Sequence, residues 1–232
     1  MVLKQALSSF SHLFFPHVCV GCGSDVAGEQ IICLQCESQM PFTNFCHQPD
    51  NALEKRFWGR LPLRAAASTF YFTKGSQLQN MLHALKYKGN KEIGYFLGRQ
   101  MARQIKECNR FKDINALVPL PLFAAREKMR GYNQATVLCE AIGSELQIPV
   151  IEHAVKRLSA TETQTHKSRE ERWENMEGKF FLEHPDVLRN KNILLVDDVI
   201  TTGATLEACG IELLEAEGAQ LSILSLAFAV DE

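Results

Sequence analysis

Hydrophobic positions along the chain follow two periods, and strand-like and helix-like segments alternate after residue 64. The stretch Arg64 to Phe72 is apolar at nearly every position, which predicts a buried strand. Apolar residues at helical spacing follow it, and the same spacing returns twice further along. The predicted helix faces are Leu78, Met81, Leu82 and Leu85, then the segment Ile93 to Lys106, then Ala135, Leu138, Ile142 and Leu146.

The rest of the chain continues this alternation. Short apolar runs predict further strands, and a helix is predicted from Ala204 to Glu217, ended by Gly218. The predicted strands are Ala116 to Leu122, Pro149 to Arg157, Ile193 to Val196 and Leu221 to Val230. Alternation of this kind predicts an α/β fold with a largely parallel sheet. The polar stretch Leu158 to Met176 is predicted to be a long exposed loop.

The amino-terminal part differs from the rest because it is rich in cysteine. We therefore predict three parts: residues 1–48 form a helix and a small metal-bound module, residues 49–63 connect, and residues 64–232 form the α/β domain. In the first part Leu3, Leu7, Phe10 and Phe14 predict a short amphipathic helix. In the connection, Phe57 and Trp58 are expected to dock onto the larger domain.

Composition narrows the class of protein. The chain has 232 residues, of which 46% are hydrophobic and 22% charged, so a buried core is expected. A formal net charge of -2 excludes a global field that would gather nucleic acid or acidic membranes. The apolar stretch Leu221 to Val230 is too short to span a bilayer. Polar residues interrupt the amino-terminal apolar positions, which argues against a secretion signal, so we expect a cytoplasmic protein with reduced cysteines.

Four cysteines have the spacing of a metal site. Two C-x-x-C pairs, Cys19 with Cys22 and Cys33 with Cys36, supply the four thiolates of a tetrahedral zinc ribbon. Since protein ligands would fill all four positions, the zinc is expected to be structural. The alternative is that the ribbon also contacts nucleic acid or a partner. Cys46, His47, His17 and His12 could supplement a site, although such isolated residues are more often ordinary side chains, and Cys108, Cys139 and Cys209 are interpreted as core residues.

A second motif combines a strand, paired acids and a small-residue turn. The apolar strand ends in Asp197 and Asp198, and the turn that opens the next helix consists of Thr201, Thr202, Gly203, Ala204 and Thr205. Backbone amides, hydroxyls and the helix dipole of such a turn form a cradle for phosphate. The carboxylates accept hydrogen bonds from sugar hydroxyls. Alternatively, the acids could hold a metal, accept phosphate as in receiver domains, or cap the helix.

The segment Ile193 to Thr205 resembles the phosphoribosyl-pyrophosphate (PRPP) signature of type I phosphoribosyltransferases. This resemblance implies that Asp197 and Asp198 hold the ribose hydroxyls, that residues 201–205 hold the 5′-phosphate, and that Mg²⁺ accompanies PRPP. Three further segments resemble the ComF family: Leu82 to Gly89, Val118 to Gln134, and the stretch from Lys156. ComF relatives often carry a second cysteine pair, but here Cys46 is followed by His47, Gln48 and Pro49, so one zinc is expected.

Basic residues are needed opposite the phosphate cradle, because the leaving pyrophosphate is strongly anionic. Arg126 and Arg130 correspond by order to the pyrophosphate loop of related enzymes. The loop from Leu158 corresponds to their catalytic hood, with Arg157, Thr163, Gln164, Arg169 and Asn175 as its candidate residues. The alternative is a solvated helix start and an ordinary loop. Lys86 and Lys88 are weaker candidates, because a basic turn also complements a helix dipole.

The resemblance implies a ComF-type phosphoribosyltransferase that transfers phosphoribosyl to an unidentified nitrogen acceptor. It also implies a role in natural DNA uptake, with single-stranded DNA and competence proteins as partners. The rival hypothesis is a non-enzymatic adaptor that senses a nucleotide or handles DNA on the same fold. Its contact surface would be the zinc ribbon together with the basic segments Lys86 to Lys91 and Arg126 to Arg130. A third hypothesis is a zinc-stabilised protein with a degenerate pocket.

Overall fold

A four-stranded parallel sheet forms the centre of the molecule. The computed structural model describes residues 17–26, 28, 30–158 and 180–229. The sheet has the order β1-β6-β5-β2, and every neighbouring pair is parallel. Its strands are β1 (Ala65–Phe72), β2 (Ala116–Pro119), β5 (Asn192–Ile200) and β6 (Gln220–Ala229). The predicted α/β class with a largely parallel sheet is thus confirmed.

Helices connect the strands, and the predicted apolar faces are those that become buried. The longer helices are α3 (Gln77–Tyr87), α4 (Lys91–Lys106), α6 (Gln134–Leu146) and α8 (Ala204–Leu213). Short helices are α1 (Leu34–Ser38), α2 (Ala52–Lys55), α5 (Ala124–Arg130) and α7 (Pro185–Leu188), with 3₁₀ turns at Phe45–His47 and Asn109–Phe111. Side-chain caps fix several helix starts, for example Ser76 on α3 and Asn133 on α6.

Several element boundaries differ from the sequence prediction, including the end of β2, which lies at Pro119 rather than at Leu122. Strand β5 continues to Ile200, because Val199 and Ile200 pair with Ala227 and Phe228 of β6. Helix α8 ends at Leu213 rather than at Glu217. The predicted strand Pro149 to Arg157 is divided. Val150 makes a single bridge to Leu117, and β3 (Val155–Arg157) pairs antiparallel with β4 (Phe180–Leu182) in a separate ribbon.

The connecting segment packs onto the sheet through one of its two aromatic residues. Phe57 is fully buried, but Trp58 is 58% exposed, so the predicted docking of Trp58 is wrong. Polar interactions of Glu54 also hold the connecting segment in place. The Glu54 carboxylate accepts hydrogen bonds from the amides of Asp50 and Ala66 and pairs with Arg110. Burial of this carboxylate is tolerated because its oxygens are satisfied.

The cysteine-rich module packs against α3. A β-carbon on Gly21 would lie 2.9 Å from Met81 Cε, and Asn80 donates a 2.7 Å hydrogen bond to the Gly21 carbonyl. Buried residues from Cys19 to Phe228 form one continuous core. The division at residues 48 and 63 stays a prediction, and the predicted amino-terminal helix lies outside the described residues. Within the described part of the chain, no helix is long and apolar enough to cross a membrane.

Candidate functional site

Asp197 and Asp198 lie inside strand β5, near its carboxyl end, rather than just after it. The two carboxylates lie close enough for their charges to repel each other, and their surroundings differ. Asp198 Oδ1 lies 2.9 Å from Lys86 Nζ, at the end of α3. Asp197 interacts electrostatically with Arg157 on β3 and accepts a 2.7 Å hydrogen bond from the Asp198 amide. Lys86 thus interacts with both acids, whereas Arg157 interacts with Asp197.

The pKa of Asp197 is raised to about 7, primarily because burial disfavours its charged form and secondly because the Asp198 carboxylate repels it. The Asp198 amide, Lys86 and Arg157 act in the opposite direction without cancelling the burial. A carboxyl group held this way releases its proton near neutral pH. Bound cations or hydroxyl donors would favour the charged form.

The small-residue turn forms the amino-terminal end of α8. Gly203 is the N-cap with φ +82°, and a β-carbon there would lie 2.9 Å from the buried Phe57 ring. Both facts require glycine. Thr201, Thr202 and Ala204 are exposed, Thr205 is half-buried, and the Ala204 amide donates to Thr202 Oγ1 at 3.4 Å. The first-turn amides of α8 have no partner within the helix, so this end suits an anion.

Two of the predicted arginines lie at the Phe123 ring, and one of them, Arg157, interacts with Asp197. The Arg157 guanidinium lies 3.8 Å from the centre of the Phe123 ring, and Arg126 faces the same ring at 5.9 Å. Burial lowers the pKa of Arg157, and the charge of Arg126 lowers it further. Arg157 Nε is buried and has no hydrogen-bond partner among the described residues. A buried unpaired cationic donor indicates a place for an anion.

Arg130 is held in a different environment. Its Nη1 donates a 2.6 Å hydrogen bond to the buried Gln134, and its guanidinium lies 5.3 Å from the centre of the Tyr87 ring. The residues that follow Arg130 shape the chain between two helices. Gly131 ends α5 with φ +81°, and Asn133 caps the start of α6. Arg130 thus lies beside the end of α3. Arg169, Thr163, Gln164 and Asn175 lie outside the described residues.

Lys86 was undervalued from the sequence, because a basic helix end is common. Its partner Asp198 is 112 residues away, so no local pattern could have found the pair. Phe123 and Tyr132 were also not singled out. The Tyr132 hydroxyl donates to the Leu85 carbonyl, which fixes the end of α3 on which Lys86 lies. A cleft of about 260 Å³ next to Arg157 is lined in part by Leu122, Asn133 and Lys156.

The four predicted zinc ligands come together. Their sulfur atoms lie within 4.8 Å of one another, with Cys19 and Cys36 at 3.5 Å and Cys22 and Cys33 at 3.8 Å. Zn–S bonds of about 2.3 Å in a tetrahedron place sulfurs about 3.8 Å apart. The Cys33 amide donates to Cys19 Sγ at 3.2 Å, and the Cys36 amide to Cys33 Sγ at 3.4 Å. This geometry fits structural zinc in a ribbon.

Comparisons with known proteins agree with this arrangement. A family model described as phosphoribosyl transferase domain matches residues 128–231. The chain is 35% identical over 136 residues to competence protein F of Haemophilus influenzae, covering 56% of this chain and only 58% of that relative. It is 28% identical to DNA utilization protein YhgH of Escherichia coli, and this match covers 92% of this chain and 87% of that relative. Competence protein ComFC of Bacillus subtilis is 29% identical, covering 86% and 72%.

Two solved structures are also similar. A hypothetical protein from Neisseria gonorrhoeae with bound ppGpp shares 19% identity at a TM-score of 0.40, covering 60% of this chain and 69% of that one. The hypoxanthine-guanine phosphoribosyl transferase of L. donovani shares 16% identity at a TM-score of 0.34. The match covers 58% of this chain and 67% of that one.

The parallel sheet, the strand-turn-helix with its two acids, and the matched domain define a type I phosphoribosyltransferase-like protein. Its cysteine cluster and its sequence similarity to these relatives support a ComF-family protein.

Proposed function

We propose that the protein binds PRPP and transfers its phosphoribosyl group to a nitrogen nucleophile. The observation that carries this proposal is the direct continuation of β5, with Asp197 and Asp198, into the Gly203-capped start of α8. The 5′-phosphate would lie on the first-turn amides of α8. The ribose hydroxyls would donate to the two carboxylates.

The positive groups around Asp197 suit the leaving group. Arg157 and Arg126 would bind the pyrophosphate oxygens, which is consistent with the unpartnered Nε of Arg157. The nucleophile attacks the anomeric carbon, the bond from that carbon to the pyrophosphate oxygen breaks, and the oxygen keeps the electron pair. Bound Mg²⁺ would neutralise charge on pyrophosphate, and the carboxylates of Asp197 and Asp198 are the oxygen ligands that this ion prefers. The cleft beside Arg157 offers space for an acceptor.

The names of the relatives add a biological setting. They include competence proteins and DNA utilization proteins, so we place this chain in DNA uptake or use inside the cytoplasm. Structural zinc in the cysteine cluster belongs to the same proposal.

Calorimetric titration tests binding, with PRPP added in the presence of Mg²⁺. The wild type is expected to bind, and Arg157→Met is expected to bind at least about tenfold more weakly, because one charge-assisted contact is lost. Arg189→Met is the matched control, because Arg189 is an exposed arginine whose recorded partners are Asp186 and Glu217. Absence of binding to the wild type would overturn the proposal. A screen for pyrophosphate release across nucleobases and amines then identifies the acceptor.

A second candidate function, single-stranded DNA binding, is favoured by a joined basic and aromatic surface. The basic segments Lys86 to Lys91 and Arg126 to Arg130 lie next to each other. Arg130 lies over the Tyr87 ring, and Lys91 Nζ lies 4.9 Å from the centre of the Tyr132 ring. Tyr87 is 61% exposed. Cations interleaved with exposed aromatic rings bind single strands by charge and base stacking.

Fluorescence anisotropy with a labelled oligonucleotide tests this second candidate. Binding is expected to weaken with salt, and Tyr87→Ala is expected to cost about 1 to 3 kcal/mol of binding free energy. Trp58→Ala is the control, since Trp58 is a similarly exposed aromatic residue away from this surface. An equal loss of oligonucleotide affinity in both variants, or an affinity that does not change with salt concentration, would show that this surface does not bind single-stranded DNA.

A further inference from the structure

A second cluster of metal-ligating groups lies outside the ribbon. Cys46, His47 and Cys108 each offer a ligand atom, and these three atoms lie within 4.8 Å of one another. Both cysteines are 3% exposed, whereas His47 is exposed. Gln104 Oε1 lies 3.8 Å from Cys46 Sγ and adds a nearby oxygen. The residues come from two segments 62 positions apart in the sequence.

Packing holds these two segments in fixed positions. Asn44 begins the first 3₁₀ turn in the left-handed region with φ 60°, and the Phe45 ring packs edge-on against Tyr71 and Phe228. The side-chain Nδ2 of Asn51 donates to the carbonyls of Phe45 and Gln48. Cys108 precedes the second 3₁₀ turn at the end of α4, and its thiol donates to the Cys46 carbonyl at 2.6 Å. Packing therefore holds the three groups close together, and on metal binding the Cys108 thiol would give up its proton and its hydrogen bond to the Cys46 carbonyl.

We propose that Cys46, His47 and Cys108 bind a second zinc ion, with Gln104 or water in the fourth position. Two thiolates and an imidazole are the ligand types that Zn²⁺ selects in proteins. Ligand atoms of a tetrahedral zinc site lie about 3.5 to 3.8 Å apart, so a contraction of about 1 Å brings the three atoms into range. Two thiolates neutralise the ion, which permits its location beside buried residues.

Such an ion would tie the segment that follows the ribbon to the end of α4. Apart from the zinc, the hydrogen bond from Arg110 Nη1 to the Gln48 carbonyl joins the same two regions. The second site also changes the expectation of one zinc to two.

Zinc content of the full chain, purified under reducing conditions and measured by inductively coupled plasma mass spectrometry, tests this proposal. The wild type is expected to hold two equivalents and Cys108→Ser one. Cys139→Ser is the matched control, because Cys139 is an equally buried cysteine on α6, and it is expected to keep two. In case Cys108→Ser does not fold, His47→Ala removes an exposed ligand and is expected to weaken binding of the second zinc at least about tenfold in a chelator competition.

One equivalent of zinc in the folded wild type would overturn the proposal, as would two equivalents that persist unweakened in both Cys108→Ser and His47→Ala. Cobalt substitution gives an independent signature. The proposal requires that the thiolate-to-cobalt absorption of the second equivalent disappears in Cys108→Ser and stays in Cys139→Ser.

Discussion

Replacing Asp197 by asparagine is expected to abolish detectable PRPP binding while stabilising the folded protein at pH 8. The asparagine keeps the shape of the side chain but removes a buried charge that Asp198 repels. The pKa of Asp197 is raised to about 7 in the folded state, against 3.8 as its ordinary value. The folded state therefore holds the proton more tightly than the unfolded state does. The contribution of the Asp197 side chain to stability is largest at low pH and is lost as pH rises from about 4 to about 7.

The gain in unfolding free energy for Asp197→Asn should follow this window. It should be near zero around pH 4, grow through pH 6, and level off above pH 7 at about 1 to 3 kcal/mol. This is less than the full shift implies, because relaxation and water penetration reduce the cost of a buried charge in a folded protein. Chemical denaturation at several pH values measures the gain, and calorimetry with Mg²⁺ and PRPP measures the binding.

Asp198→Asn is the matched control, because it is the same substitution one residue away. It breaks the ion pair with Lys86, in which the side chains are only 22% and 15% exposed. We expect it to weaken PRPP binding but to lower stability, by about 1 kcal/mol. If Asp197→Asn bound PRPP as the wild type does, the proposed ribose contact would be wrong. If it destabilised the protein at pH 8, the burial argument would be wrong.

Replacing Cys36 by serine is expected to destabilise the protein by several kcal/mol and to remove the ribbon zinc. Structural zinc in small modules contributes a large part of their folding free energy, and Cys36 is the sulfur buried deepest among the four. Because Gly21 and Met81 pack together, the change should extend to α3, which carries Lys86 at its end. We expect PRPP binding to weaken several-fold as a result.

Urea denaturation and zinc analysis of Cys36→Ser measure these effects, with Cys139→Ser as the control for a buried cysteine far from the cluster in sequence. A single-residue variant separates the ribbon from any other zinc, which a chelator would not do. An unfolding free energy within about 1 kcal/mol of the wild type would contradict the structural role. Unchanged PRPP affinity in a destabilised variant would show that the ribbon and the site on β5 are independent.

The parts of the site whose proximity the sequence predicted are contiguous in the chain. Asp197 to Thr205 form one strand-turn-helix, and the cysteines form two short pairs, so residue order already fixes their proximity. Helical faces such as Leu78 to Leu85 were predictable for the same reason. The strand end was misplaced, because pairing with β6 rather than local propensity carries β5 to Ile200. The predicted docking of Trp58 was wrong because the local sequence pattern does not distinguish an exposed aromatic residue from a buried one.

By itself, the sequence determined the α/β class, the strand-turn-helix from Asp197 to Thr205 and the four-cysteine cluster, because each is built from local patterns of residues. Only the tertiary structure decided which groups share a site across the chain. It paired Lys86 with Asp198, placed Arg157 beside Asp197 and Arg130 beside Tyr87, and brought Cys108 to Cys46. These contacts depend on how helices pack onto the sheet, and packing is set by the whole core rather than by any local pattern.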